Sequence, residues 1–466
     1  MILEDACGKS MYAVEVFAFS IKALKTHLEE HLERNNIYTN PERTKWILTV
    51  PAIWSDAAKQ FMRKSGEMAG IPNSKLHIAL ESEVASVYCQ CFPPVGGVDI
   101  AAIGSKYIVA DLGGGTTVDI TAHETLPNQK LKELTKASGN NCGGNMIENH
   151  FIEVIFGSEF LSVFRKRYPD SFIYLLRWFE SMKRIVQSSK SAFVTVTIPY
   201  TILNSFCISE RGVGLHEFIS SKFNSEIAKV FKDKIRIHLD YAKDQFEKIC
   251  KEIVLLINEL FRRDEFNNFR HILLVGGFAK CRLVHECLQN AFPQLSVIVP
   301  EDPDLAVLKG SVLFGYKPDI ISYRIIRYSY GVLSTPLFDE KVHDSKRKIV
   351  CVGHARCNNV FKSFMEAGTL VRRNTVIKRS YRTRQRFQEN LWIQVFYAER
   401  GNVQYTDGDH CQKLGEIVVH LLKPSEQGQL VDVVFHFGET ELTVEAGDPE
   451  SNTRYSVLLK IHEFKQ

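Results

Sequence analysis

The stretch Tyr107-Ile-Val-Ala-Asp-Leu-Gly-Gly-Gly-Thr-Thr-Val-Asp-Ile-Thr121 decides how the chain is read. An apolar run ends in Asp111. Three glycines, two threonines and a second apolar run follow. Glycines let backbone N–H groups close around an anion, because no Cβ blocks the approach and positive φ is open to them. Thr116 and Thr117 can donate to a phosphate oxygen, and Asp111 stands where a metal ion or a water could be held. The loop joins two strands, whereas a P-loop or dinucleotide fingerprint joins a strand to a helix. The plain alternative is a tight glycine turn of a kind any β-protein contains.

Composition bounds the answer around this loop. The 466 residues suit two to four domains. The chain is 45% hydrophobic and 24% charged with net charge +4, ordinary for a globular protein and lacking the basic excess of a nucleic-acid binder. No apolar run reaches the length of a membrane span, and the first residues do not form a secretory leader. The 11 cysteines are scattered, with close pairs Cys89/Cys91, Cys281/Cys287 and Cys351/Cys357 outside zinc or CxxC spacing. Reduced thiols and a cytoplasmic location are the expectation. No metal cage is expected from the 15 dispersed histidines.

Outward from the loop, periodicity predicts a helix carrying Val14, Phe17, Ala18, Ile21, Leu24 and Leu28, then a strand Trp46–Val50 stopped by Pro51. Ser55 and Gly70 frame a helix; a strand at Leu76–Leu80 and a helix at about Ser82–Cys91 follow. After the glycine hairpin come a third strand within Leu131–Ala137, helices after Gly143-Gly144 and at Ile173–Val186, and strands at Phe193–Ile198 and Thr201–Ile208. A helix-rich stretch covers Phe218–Phe261. Strand Ile272–Val275, a helix, strand Ser296–Val299 and a helix at Asp304–Phe314 complete this part. Both parts end strand, helix, strand, helix, which reads as an internal repeat whose first copy lacks its opening hairpin. From Tyr330 the period falls to two: Thr375–Arg386, Leu391–Tyr397, Gly415–Leu422, Val431–Phe437, Glu441–Glu445 and Tyr455–His462 read as strands of a β-sandwich, with turns at Asp407-Gly-Asp and Ala446-Gly-Asp-Pro.

Three constellations stand beside the hairpin. Gly276 and Gly277 lie between a strand and a helix, where backbone N–H groups and the helix dipole suit an anion or a ribose–phosphate edge. Glu180, Lys183 and Arg184 share a helical face that can meet ribose hydroxyls and a purine, or simply water. Glu81 and Asp304 are single acids at helix starts. The run Arg372, Arg373, Lys378, Arg379, Arg382, Arg384, Arg386 suits an anionic partner or, more simply, a solvated strand face.

A phosphate-cradling hairpin is the mark of the actin-type ATPase architecture. In this setting the chain resembles the 70-kDa heat-shock chaperone family, nearest its divergent 12A/12B branch. The resemblance is carried by Trp46-Ile-Leu-Thr-Val-Pro-Ala-Ile-Trp54, Ala79-Leu-Glu-Ser-Glu-Val-Ala85, the Asp111 hairpin, Phe179-Glu-Ser-Met-Lys-Arg184, Leu273-Leu-Val-Gly-Gly-Phe-Ala279 and Pro303-Asp-Leu-Ala-Val-Leu-Lys-Gly310. It implies an α/β actin-like ATPase fold with an incomplete first lobe at 1–92, a second lobe at 105–316, and an all-β sandwich at 330–466. It implies ATP or ADP with Mg²⁺ as cofactors. Asp111, Gly113, Gly114, Gly115, Thr116 and Thr117 resemble the second phosphate loop, with Asp111 near the metal through water. Glu81 resembles the acid by the metal's water shell, and Glu81 and Asp111 are the implied catalytic pair. Glu180, Lys183, Arg184, Gly276, Gly277 and Asp304 resemble the adenosine contacts. Asp119 is displaced by one residue, since Thr117 looks inserted. Leu370-Val-Arg-Arg-Asn-Thr-Val-Ile377 and Leu391-Trp-Ile-Gln-Val-Phe-Tyr397 resemble the family's peptide-binding sandwich, so extended polypeptides or partner proteins are the expected guests there.

The departures shape the expected activity. The family's first phosphate hairpin and catalytic lysine have no counterpart, and Asp319-Ile-Ile-Ser-Tyr-Arg-Ile-Ile326 replaces its acidic leucine-rich linker. ATP binding with weak or absent hydrolysis is therefore expected. A non-enzymatic interaction module is the alternative; a small-molecule kinase on the same scaffold is disfavoured by the β-rich C-terminal part.

Overall fold

A computed structural model describes residues 1–5, 8–93, 99–115, 117–188, 191–262, 268–383, 385–421, 424–449 and 453–457, the side chains of 183–185, 187–188 and 453–457 excepted. The chain opens with a short antiparallel pair, β1 (Ile2–Glu4) and β2 (Ser10–Tyr12), which the periodicity did not signal. Helix α1 (Ala13–Arg34), β3 (Trp46–Val50), α2 (Asp56–Met68), β4 (Leu76–Leu80) and α3 (Glu81–Cys91) follow. Ser55 caps α2, its Oγ accepting from the Ala58 N–H at 3.3 Å. Strands β3 and β4 run parallel, Trp46 beside Leu76 and Val50 beside Leu80.

Next come β5 (Lys106–Leu112), β6 (Val118–Leu126), β7 (Lys130–Glu133), β8 (Ser138–Asn140), α4 (Gly144–Phe156), α5 (Ser158–Arg167) and α6 (Pro169–Ser188). After β9 (Phe193–Thr197), Thr201–Ile208 is not the expected strand. It lies in α7 (Tyr200–Arg211), because Leu203, Phe206 and Cys207 fall on one helical face and are buried together. The expected helical stretch from Phe218 is likewise divided. Helix α8 (Leu215–Lys222) is followed by the hairpin β10 (Ala228–Phe231) and β11 (Lys234–His238), and only then by α9 (Leu239–Phe261). The hairpin turns at Lys232, whose φ is +55°. Then come β12 (His271–Val275), α10 (Arg282–Ala291), β13 (Ser296–Ile298) and α11 (Ala306–Tyr316). Among the described residues no helix is long and apolar enough to cross a membrane.

The central sheet is mixed, in the order β13-β12-β5-β6-β7 and then two later strands, β14 (Ile321–Ile325) and β19 (Leu370–Arg372). Strands β12 and β13 run parallel and are wrapped by α10 and α11, as β3 and β4 are by α2 and α3, so the architectural repeat is present in the chain's geometry. The two closing helices meet directly. A Cβ on Gly310 of α11 would fall 1.8 Å from the Val84 carbonyl of α3, so only glycine permits this crossing. One apolar cluster fills the space between the sheet and α4 to α10, built around Phe151, Phe156, Phe179 and Phe246.

The remaining strands are β15 (Ser329–Ser334), β16 (Lys348–Cys351), β17 (His354–Cys357), β18 (Val360–Met365), β20 (Thr375–Arg382), β21 (Asn390–Ala398), β22 (Cys411–His420), β23 (Leu430–Phe437), β24 (Thr443–Asp448) and β25 (Thr453–Val457). Eight of them form two four-stranded antiparallel sheets, β18-β15-β21-β22 and β20-β23-β24-β25, which share a single apolar cluster including Val332, Val395, Ile417, Val433 and Phe435, while β16 and β17 pair with each other as a separate antiparallel ribbon. Ala446-Gly447-Asp448 is strand rather than turn, and the chain turns at Pro449. Beyond Val457 the expected Tyr455–His462 strand leaves the described residues.

Most of the basic run is already engaged. Arg373 meets Glu439 at 2.6 Å, Lys378 meets Asp432 at 2.6 Å, Arg386 meets Glu426 at 2.9 Å, and Arg379 lies 4.6 Å from the Phe364 ring centroid. Arg384 lies outside the described residues. Such pairing favours the plain account of the run as a strand face.

Candidate functional site

Two turns meet at one end of the central sheet because of how β5 is flanked. On one side β6 runs antiparallel, Asp111 opposite Asp119 and Leu112 opposite Val118. On the other β12 runs parallel, Val275 beside Asp111. The hairpin turn and the turn after β12 therefore leave the same edge, where open α/β sheets take their ligands. Gly276 has φ +89° and ψ 167°, a region essentially reserved for glycine. A Cβ there would fall 2.4 Å from the Leu112 carbonyl and 2.6 Å from Asp111 Oδ1. A Cβ on Gly277 would stand 3.5 Å from Gly114 Cα, so the two glycine turns nest against each other. The Gly276 N–H donates to the Pro303 carbonyl at 2.8 Å, which brings in the segment before α11.

The hairpin turn is clamped from behind. The Gly113 N–H donates to the Thr117 carbonyl at 3.1 Å. The N–H groups of Gly144 and Asn145, in the first turn of α4, donate to the carbonyls of Gly113 and Gly115 at 2.9 and 2.8 Å. The start of α4 is spent on holding the turn, leaving Gly114 and Gly115 exposed at its tip.

Three carboxylates gather beneath. Asp119 Oδ2 accepts from the Ala52 N–H at 2.6 Å, while its Oδ1 and Asp111 Oδ2 are buried with no hydrogen-bond partner among the described residues. Glu81, the first residue of α3, completes the group. Burial, then Asp111 and Asp119, pushes Glu81 up to about 8. Burial, then Asp119, pushes Asp111 up to about 7. Burial pushes Asp119 up to about 6 against the opposing pull of the Ala52 and Ile53 N–H groups and Arg327. Burial and mutual repulsion thus make these carboxyls hold their protons more tightly than free ones; among the described residues no group of three or more potential ligands lies together as a metal-holding cluster.

These shifts fix the sign of a pH response. Each acid holds its proton more tightly in the folded chain than in the unfolded one. The stability they contribute is fully present below their unfolded values of about 4, and is lost as pH rises through about 6 to 8. Melting temperatures measured from about pH 5 to about pH 8.5 are expected to fall across that window, less steeply with millimolar Mg²⁺ and less steeply in Asp111→Asn. A curve that Asp111→Asn leaves unchanged would show that Asp111 is not one of the groups responsible.

The other expected residues are placed unevenly. Asp304 is exposed and pairs with Lys280 at 2.8 Å, which holds its carboxyl below the usual range; both flank the Gly276–Pro303 corner. The helix expected directly after Gly277 is a single 3-10 turn, Gly277–Lys280, and α10 starts only at Arg282. Glu180 is exposed on α6, whose Phe179 and Met182 are buried in the cluster with Ile147 and Phe151 of α4. The side chains of Lys183 and Arg184, and all of Thr116, lie outside the described residues. Thr117 is half-buried and its carbonyl is used within the turn.

Sequence reasoning missed two supports. The segment Ala52–Trp54 delivers the N–H to Asp119, and its three carbonyls accept from Arg327 Nη1. Two residues beyond Glu81, Glu83 is buried in a two-pronged pair with Arg324, Nε–Oε1 and Nη2–Oε2 both at 2.6 Å. Pro51-Ala-Ile-Trp54 was visible as a matching string, but nothing local says where its backbone points.

Heat shock 70 kDa protein 12A of Homo sapiens is 29% identical to this chain over 96% of it and 75% of the relative. Heat shock 70 kDa protein 12B of Homo sapiens is 28% identical over 97% and 75%. The chaperone protein DnaK of Mycoplasmoides gallisepticum is 24% identical over 69% of this chain and 49% of its own. The chain is homologous to the 70-kDa heat-shock family. With that homology comes the actin-like ATPase fold, in keeping with the mixed central sheet and its repeated strand–helix units. No family model matches the chain.

Proposed function

We propose that this member of the 70-kDa heat-shock lineage binds an adenine nucleotide with Mg²⁺ between the hairpin turn and Gly276-Gly277. The observation that carries the reading is the nesting of two glycine turns against Asp111, which is buried with Asp119 and has the half-buried Glu81 as its neighbour. Gly113 to Thr117 would cradle phosphates, Gly276, Gly277 and Asp304 would face the nucleoside, and Glu180, Lys183 and Arg184 would reach ribose and base. Asp111, Glu81 and Asp119 would hold the hydrated Mg²⁺, which when bound neutralises phosphate charge.

Turnover is expected to be slow or absent. Phosphoryl transfer is accelerated by cations placed against the developing charge. Among the described residues, no cation contributes to the shifts of Glu81 or Asp111. Arg327 bears on Asp119, and its guanidinium is already spent on three carbonyls.

In this reading residues 1–92 form an incomplete first lobe, 105–316 a second, and 330–466 a β-sandwich that takes extended polypeptide. In support of the last, β20 is the outermost strand of its sheet and exposes Val376, Lys378 and Arg382, so a guest segment can add along its free edge. The competing reading, a scaffold for protein partners without a nucleotide, is separated by calorimetry. Saturable heat with Mg-ATP is expected, weakened roughly tenfold or more (about 1.4 kcal/mol per tenfold) by Asp111→Asn. Absence of both heat and thermal shift would leave the scaffold.

A further inference from the structure

The ribbon of β16 and β17 ends in a turn that its own sequence does not favour. Cys351 pairs with His354, so two residues make the turn, Val352 and Gly353, with φ +50° and +73°. Two central residues at positive φ mark the type I′ hairpin turn, whose first place suits asparagine, aspartate or glycine. A β-branched valine is an outlier there and carries backbone strain. The strained residue keeps the apex apolar. Val352 is 63% exposed, Val350 is 80% exposed, and Ala355, opposite Val350 in the ribbon, is exposed as well.

The base of the ribbon is fixed. Arg347 donates to both oxygens of Asp407 at 2.7 Å and lies 4.0 Å from the Tyr405 ring centroid. Arg356 donates to the Thr335 carbonyl and the Cys357 N–H to the Pro336 carbonyl, both at 3.0 Å. A tip held this way loses little freedom on docking. Lys341, Lys346 and Lys348 stand exposed behind it. Lys348 shares the ribbon face of Val350 and trails it by about 7 Å of strand rise. From Pro336 to Cys357 five Lys and Arg stand against three acids. Those acids are engaged locally: Glu340 lies 3.7 Å from Lys348, and Asp339 and Asp344 each accept a backbone N–H at 2.9 Å, from Lys341 and Lys346. We propose that this apex docks on an anionic lipid surface. Val350 and Val352 enter the boundary between headgroups and acyl chains, and the three lysines meet the headgroup anions. Apolar burial and attraction within a screening length act together. The same charge disfavours a second copy of the chain, since two basic ribbons repel.

The strain gives the test two opposed readouts. Val352→Asn suits the turn, so its melting temperature is expected to rise while its lipid binding falls. The full chain is sedimented with vesicles of phosphatidylcholine and phosphatidylserine, and with vesicles of phosphatidylcholine alone. The wild type is expected to bind the mixed vesicles, to bind the plain ones several-fold less, and to release as salt is raised. Val350→Asp and Val352→Asn should each weaken binding about tenfold, through loss of buried apolar area. Lys346→Glu with Lys348→Glu should bring mixed-vesicle binding down to the plain level. Equal binding to both vesicle types, or none to either, overturns the proposal. So does full binding by Val352→Asn, or a dimer formed without vesicles that Val350→Asp dissociates. No nucleotide enters the measurement, so it stands or falls separately from the function proposed above.

Discussion

Gly276→Ala is expected to cost about 3 kcal/mol or more of stability and to abolish nucleotide binding. The backbone at φ +89° and ψ 167° is worth roughly 1–3 kcal/mol of strain to any residue with a side chain. The new methyl would also sit 2.4 Å from the Leu112 carbonyl, inside any real contact distance. Relief requires β12 to move off β5 or the hairpin turn to swing away, and either opens the nested turns. Gly408→Ala, outside the nucleotide site, is the control, since a Cβ there meets nothing nearer than the Tyr405 carbonyl at 3.8 Å. Urea unfolding of both variants, with Mg-ATP calorimetry on the folded fraction, checks the expectation. Equal stability of Gly276→Ala and the wild type would mean that the two turns are not held together as described.

A second large effect is expected at Arg324. The residue is 6% exposed, and its guanidinium grips both Glu83 oxygens and donates to the Gly438 carbonyl at 2.8 Å and Thr440 Oγ1 at 3.3 Å. One buried residue thereby ties α3, β14 and the C-terminal sheets. Arg324→Met leaves Glu83 buried without its counter-charge, beside a Glu133 that burial and Glu83 already push up to about 8. A loss of about 3–5 kcal/mol is expected. Glu83→Met combined with Arg324→Met should recover much of it, because the double change removes the stranded charge along with the attraction. Chemical denaturation of the single and double variants decides the point. A double variant no better than the single would show that shape rather than charge governs this joint.

What the sequence disclosed and what it withheld follow from the range of the forces involved. Trp46–Val50, Leu76–Leu80 and His271–Val275 are short apolar runs bounded by breakers, and each is a strand. The glycines at 113–115 and 276–277 were legible because their chemistry is local. Thr201–Ile208 misled because its β-branched and aromatic residues suit a strand, while the helical spacing of Leu203, Phe206 and Cys207 is rewarded only by a core built elsewhere in the chain. The hairpin β10–β11 does alternate polar and apolar residues, with Val230, Ile235 and Ile237 buried, but each strand is only four or five residues long and lies between two helices, and the turn depends on Lys232 adopting positive φ. Glu83 stood only within the matching string Ala79–Ala85; its value comes from Arg324, 241 residues away, and no periodicity reports such a distance. The same holds for Ala52, whose N–H serves Asp119 67 residues later.

Several ties run from the early helix α2 to the end of the chain. Arg63 grips Glu441 across 378 residues, Lys59 reaches the Thr440 carbonyl at 3.2 Å, and the Tyr330 hydroxyl donates to Asp56 at 2.5 Å. A ribosome adding about 5–20 residues per second needs roughly 20–75 s to make the second half of the first of these contacts. During that interval α2, which packs on the parallel pair β3–β4, is without these side-chain ties. The newborn polypeptide thus holds α2 with its distant partners missing until its last sheet is synthesised.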